Sequence, residues 1–134
     1  MVAKQFEELD AWQLANELKE KVVAILATSP AKRDAEYCDQ IRRSTKSSPA
    51  NIAEGFGYYE HPQFARHVRI AIASLDETKN HLTDGISERF WTADQIHPLI
   101  LLVRRARAAS VGLLKHLTTT RAPTRWKKPE RNGR

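Results

Sequence analysis

One cysteine, one methionine and five glycines among 134 residues exclude several kinds of protein at the outset. The lone Cys38 can form no intramolecular disulfide, which rules out a disulfide-stapled secreted scaffold and fits a reducing compartment. So few glycines argue against a turn-rich β architecture. The longest apolar run, PLILLV at 98–103, falls far short of the roughly 20 residues a membrane helix needs. The opening MVAKQFEELDAW lacks the apolar stretch of a signal peptide, so a cytoplasmic, non-membrane protein is expected.

Acid is scarce at one end of the chain. Residues 1–114 hold fifteen Lys and Arg against fifteen Asp and Glu, whereas residues 115–134 hold seven basic residues against Glu130 alone. The formal charge of +6 therefore resides entirely at the C-terminal end. The length suits one hydrophobic core, and 41% hydrophobic with 28% charged residues is an ordinary globular composition.

No segment alternates apolar and polar residues with period two, but helical periodicity appears four times. The first stripe is Leu9, Trp12, Ala15, Leu18, Val22 and Ile25, stopped by Ser29 and Pro30. The second is Tyr37, Ile41, Thr45, Ser48, Ile52 and Phe56. Its phase survives Pro49, which predicts one kinked helix; the rival reading makes Ser48 an N-cap and Pro49 the first helical residue. A third stripe runs from Phe64 to Ile86 behind Pro62, and a fourth from Ile96 to Leu117 behind Asp94 as N-cap. Four such helices with short connections predict an all-α fold, an antiparallel up-down four-helix bundle over 1–117. The aperiodic TTTRAPTRWKKPERNGR of 118–134 is expected to be a flexible basic tail.

The middle helices each carry a second, semi-polar stripe. On the second helix it is Gln40, Arg43, Ser47, Asn51 and Glu54; on the third it is Ile70, Ser74, Glu77 and His81. Glu54 and Glu77 could act as paired carboxylates, or Glu77 with His81 as two metal ligands, but no third or fourth ligand has a recognisable spacing. The sequence favours structural polar groups, such as a network at a subunit contact that fixes helix register. No nucleophile elbow or phosphate-cradling glycine loop is present, so neither enzymatic activity, nor a cofactor, nor a metal is expected. Arg107 falls within the apolar stripe of the fourth helix, where a buried partner such as Glu54 or Glu77 would satisfy it.

QIRRSTKSSPANIAEGFG resembles the signature of the four-helix-bundle proteins encoded in intervening sequences of 23S ribosomal RNA genes. FEELDAWQLA is similar to that family's opening, and FARHVRIAIASLDETKNHL to its third helix. The likeness runs over about residues 6–117 and departs from the family pattern at Lys46 and Ser48, where apolar residues are usual. It marks Ser47, Pro49, Asn51, Glu54, Gly55, Ser74 and Glu77 as structural motif positions. It also implies a ring-like homo-oligomer, commonly a pentamer, without established enzymatic activity. Related bundles accompany diversity-generating retroelements, where they bind nucleic acid and a reverse transcriptase.

Two functions follow as expectations: binding of RNA or other nucleic acid, or an assembly adaptor that docks a protein such as a reverse transcriptase. For the first, Lys115, Arg121, Arg125, Trp126, Lys127, Lys128 and Arg131 form a candidate binding arm, with Trp126 as a stacking platform. The bland alternative is a solubilising appendage.

Overall fold

The computed structural model describes residues 3–58 and 60–120, in which four helices account for nearly every residue after a short 3-10 turn at Phe6–Glu8. Helix α1 spans Asp10–Thr28, α2 Ala35–Phe56, α3 His61–Ser87 and α4 Ala93–Thr119. Neighbours in sequence pack on one another, and α1 closes against α4. The result is a four-helix bundle. Among the described residues there is no strand, and no helix is long and apolar enough to cross a membrane.

Local chemistry sets the boundaries. Ser29 ends α1, its hydroxyl accepting from the Ala31 amide, and Pro30 opens a 3-10 turn, Pro30–Arg33. Asp34 caps α2 through the Tyr37 amide at 3.0 Å. Pro62 lies in the first turn of α3, where its missing amide costs nothing. Helix α4 begins earlier than the expected cap. Thr92 and Gln95 form a reciprocal capping box, leaving Asp94 in the first turn, where its charge favours the helix dipole.

The end of α3 uses a residue whose type gives no warning. Arg89 adopts φ 64°, the left-handed conformation usually left to glycine, while Phe90 N–H donates to Gly85 O at 2.8 Å and Arg89 N–H to Ile86 O at 3.0 Å. These bonds close the last turn and swing Trp91 back over Gly85. The buried indole N–H then donates to Leu82 O at 2.9 Å.

The main core joins Leu18, Val22 and Leu26 of α1, Ile41 of α2, Leu75 and Leu82 of α3, and Leu102 and Val103 of α4. Full burial of each such side chain stabilises the fold by about 1.5–3 kcal/mol. In α1 the buried face is Ala11, Ala15, Leu18, Val22 and Leu26, so the helix is rotated slightly from the expected stripe and Trp12 is turned toward the edge. Phe6 meets it there edge-on at 5.2 Å between ring centroids. In α4 the small Ala106 and Ser110 are buried instead of Arg107. That overturns the expected buried arginine: Arg107 lies half-exposed at the surface and binds Asp76 of α3 at 2.9 Å, not Glu54 or Glu77.

Candidate functional site

Part of the semi-polar stripes of α2 and α3 meets where these helices pack, joined there by residues from outside the stripes. Successive contacts step forward along α2 and backward along α3, so these two helices run in opposite directions. Tyr37 OH donates to His81 O at 2.6 Å, and Thr78 Oγ1 donates to Ser44 Oγ at 3.0 Å. Ser74 Oγ donates to Ser47 Oγ at 2.7 Å, and the ring Nδ1 of His67 meets Asn51 Oδ1 at 3.1 Å. Most of these groups also bond within their own helix. Asn51 Nδ2 donates to Ser47 O and Ser47 Oγ, Ser74 Oγ reaches Ile70 O, and Thr78 Oγ1 reaches Ser74 O. Small hydroxyl side chains let the helices approach closely, and their mutual bonds are satisfied at one register only.

Pro49 is buried inside a continuous α2. The helix begins at Ala35, which settles the two readings of this segment in favour of a single helix. A proline at 49 cannot donate to Thr45 O. Ser48 Oγ donates to that carbonyl instead, at 3.4 Å. A serine where an apolar residue is usual therefore has a local reason. Gly55, further along α2, has no room for a side chain: a Cβ would come within 2.8 Å of His67 Cβ and of the Phe64 ring. Glycine here sets how closely α3 can start against the end of α2.

The carboxylates do not converge. Glu54 lies 3.9 Å from His67 Nδ1 and Glu77 3.4 Å from His81 Nε2, and both side chains are more than half exposed. His67 and His81 are separated by about 21 Å of helix rise, so Glu54 and Glu77 cannot share one reacting centre. Glu54 is also not the buried acceptor that a stability role would require. Among the described residues, no group of three or more His, Cys, Asp or Glu side chains could hold a metal ion. Burial pushes the Tyr37 phenol strongly upward in pKa, helped by Asp84, Cys38 and Asp34, so it stays protonated as the donor to His81 O.

Sequence reasoning finds part of this seam and misses the groups that complete it. Ser44, His67 and Thr78 belong to it, and Tyr58 stacks on the His67 ring at 5.2 Å and 22°. The stripes are used inside the bundle only in part: Ser47, Asn51 and Ser74 spend their polar groups on the seam, and the His81 carbonyl accepts from Tyr37. Gln40, Arg43, Glu54, Glu77 and Ile70, the last 41% exposed, stay at the surface. A groove of about 620 Å³ lies between α1 and α2, lined by Phe6, Trp12, Val23, Pro49, Ala50 and Ala53, with Lys19, Glu20 and Lys46 also on its wall. Lys46, the second departure from the family pattern, is therefore an exposed groove residue. Of the candidate arm, Lys115 is exposed on α4. Arg121, Arg125, Trp126, Lys127, Lys128 and Arg131 lie outside the described residues.

Fold and seam together define a four-helix bundle whose second and third helices are joined by hydroxyl, amide and imidazole side chains. The chain belongs to the 23S rRNA-intervening sequence protein family, whose model matches residues 7–110. That span takes in every seam residue and ends within α4, so Lys115 and the basic stretch after it lie beyond the match. No curated protein matches the chain.

Proposed function

We propose that this chain is a non-enzymatic, homo-oligomeric bundle protein of the cytoplasm that binds RNA or other nucleic acid through its basic C-terminal end. The observation that carries the reading is the charge distribution: balance through residue 114, then seven basic residues against one acid. A polyanion is the partner such a segment attracts most strongly, and Trp126 beside Lys127 and Lys128 adds a face for an unpaired base. The non-enzymatic part is supported by the separation of Glu54 from Glu77 and by seam groups that spend their hydrogen bonds on one another. The oligomeric part is supported by the open apolar groove between α1 and α2, which a second copy would cover, and the family likeness implies a pentamer.

The test is fluorescence anisotropy with generic single-stranded RNA, comparing the full chain with one ending at Thr120. The cut is placed there because α4 reaches Thr119 and Thr120 O pairs with His61 Nδ1 at 3.2 Å. With up to roughly five phosphates neutralised per arm, the full chain should show a log-affinity slope of about −3 to −5 against log salt. Equal affinity and equal slope for both chains would remove the arm from the reading.

A further inference from the structure

The folded bundle is itself unevenly charged. Helix α4 has a single acid, Asp94, and none from Gln95 to Thr119; α3 has none from His61 to Leu75. These two acid-free stretches lie side by side. His61 contacts Thr120 and its ring lies 6.1 Å from that of His116, and Asp76 binds Arg107 further along. Arg69 stands two turns before Asp76, and Arg66 two turns before Ala73, on the same outer face of α3. Lys115 stands about two turns beyond Arg107 on α4.

Arg66, Arg69 and Lys115 are all exposed, and among the described residues none has a carboxylate within ion-pair distance. Asp76, the first acid that α3 brings to this face, is already bound by Arg107. Small residues are exposed on the same two helices, Ala73 on α3 and Ala108 on α4. Elsewhere acids are mixed among the cations: Lys21 pairs with Glu17, and the α1–α2 groove holds Glu20 as well as Lys19 and Lys46.

We infer that the acid-free half of the α3/α4 face is a docking surface for the phosphodiester backbone of nucleic acid, with Arg66, Arg69 and Lys115 as its phosphate contacts. Fixed cations on two packed helices position a backbone without reading bases, so binding here is independent of sequence. Along the chain, the α4 side of this face is followed after Thr120 by the basic stretch. The inference rests on the nucleic-acid reading above and assigns part of that binding to the folded bundle.

The experiment measures anisotropy with generic single-stranded RNA for four proteins: the full chain, the chain ending at Thr120, and each of these carrying Arg66→Gln, Arg69→Gln and Lys115→Gln. A control variant, Lys21→Gln, Lys32→Gln and Arg33→Gln, removes the same charge from α1 and the turn after it, and circular dichroism checks helicity throughout. The expected result is that the chain ending at Thr120 still binds, with a salt slope of about −2, and that the α3/α4 substitutions weaken both chains roughly tenfold while the control changes them little. If the full chain binds and the α3/α4 substitutions do no more than the control, the face is overturned and the nucleic-acid reading stands. If the unsubstituted full chain binds no RNA, both fall.

Discussion

Ser48 Oγ donates to Thr45 O, the carbonyl that Pro49 leaves without its helical amide. The two residues are thus coupled through an atom that belongs to neither. Ser48→Ala should cost about 1 kcal/mol, because a buried carbonyl then loses its donor. Pro49→Ala supplies an amide to the same carbonyl, so adding Ser48→Ala to it should cost almost nothing. Urea denaturation of the two single variants and the double variant gives the coupling directly; additive effects would show that the Ser48 bond is unrelated to the proline.

Asn51 and Glu54 differ in what surrounds them. Asn51 is partly buried, donates twice to Ser47 and accepts from His67. Asn51→Ala should lower stability by about 1–2 kcal/mol. Glu54 is exposed and stands 3.9 Å from His67, so Glu54→Ala should change stability by less than about 0.5 kcal/mol. A large loss for Glu54→Ala, measured in the same denaturant series, would mean that its carboxylate has a partner the seam does not provide.

How much of this is legible in the sequence follows from which contacts are local. Helix existence, the passage of α2 through Pro49 and the stop at Ser29 are written in spacing and cap chemistry within a few residues. Ser47, Asn51 and Ser74 stand out as polar groups in ordered stripes, yet nothing in a single helix records that Asn51 faces His67 or that Ser44 faces Thr78. Register between helices is set by packing, to which Gly55 contributes by its lack of a side chain. Ser110 falls in the expected stripe and is buried, but periodicity misplaces Arg107 because the neighbouring Ala106, which is buried in its place, gives a weak hydrophobic signal. Arg89 gives no hint of its left-handed backbone, since its type disfavours that conformation.

The α1–α2 groove makes the oligomer testable at defined positions. Light scattering should give a mass that is a multiple of 15.3 kDa. Ala50→Arg, on an exposed groove residue, should reduce that mass toward the monomer while leaving helicity unchanged. A charge at Ser74 is a poor probe by comparison, because Ser74 is buried in the seam and its substitution would damage the bundle itself. A monomer at micromolar concentration for the unsubstituted chain would reject the oligomer.

Tyr37 should reveal itself in the pH dependence of stability. Its hydroxyl donates to His81 O, and burial, with Asp84, Cys38 and Asp34 nearby, raises its pKa well above the ordinary value of 10.0. The folded state therefore holds the phenolic proton longer than the unfolded chain does. Its contribution is fully present below about pH 10 and is lost as pH rises from there toward the folded-state pKa, at up to about 1.4 kcal/mol per pH unit. Tyr37→Phe has no such proton. At neutral pH the variant should be less stable by about 0.5–1.5 kcal/mol for the missing hydrogen bond. Above about pH 10 that difference should shrink and then reverse, since other groups titrate alike in both proteins. Denaturation of the two proteins in parallel across this range checks it, and a difference that stays constant with pH would show that the phenol ionises as easily in the folded bundle as in the open chain.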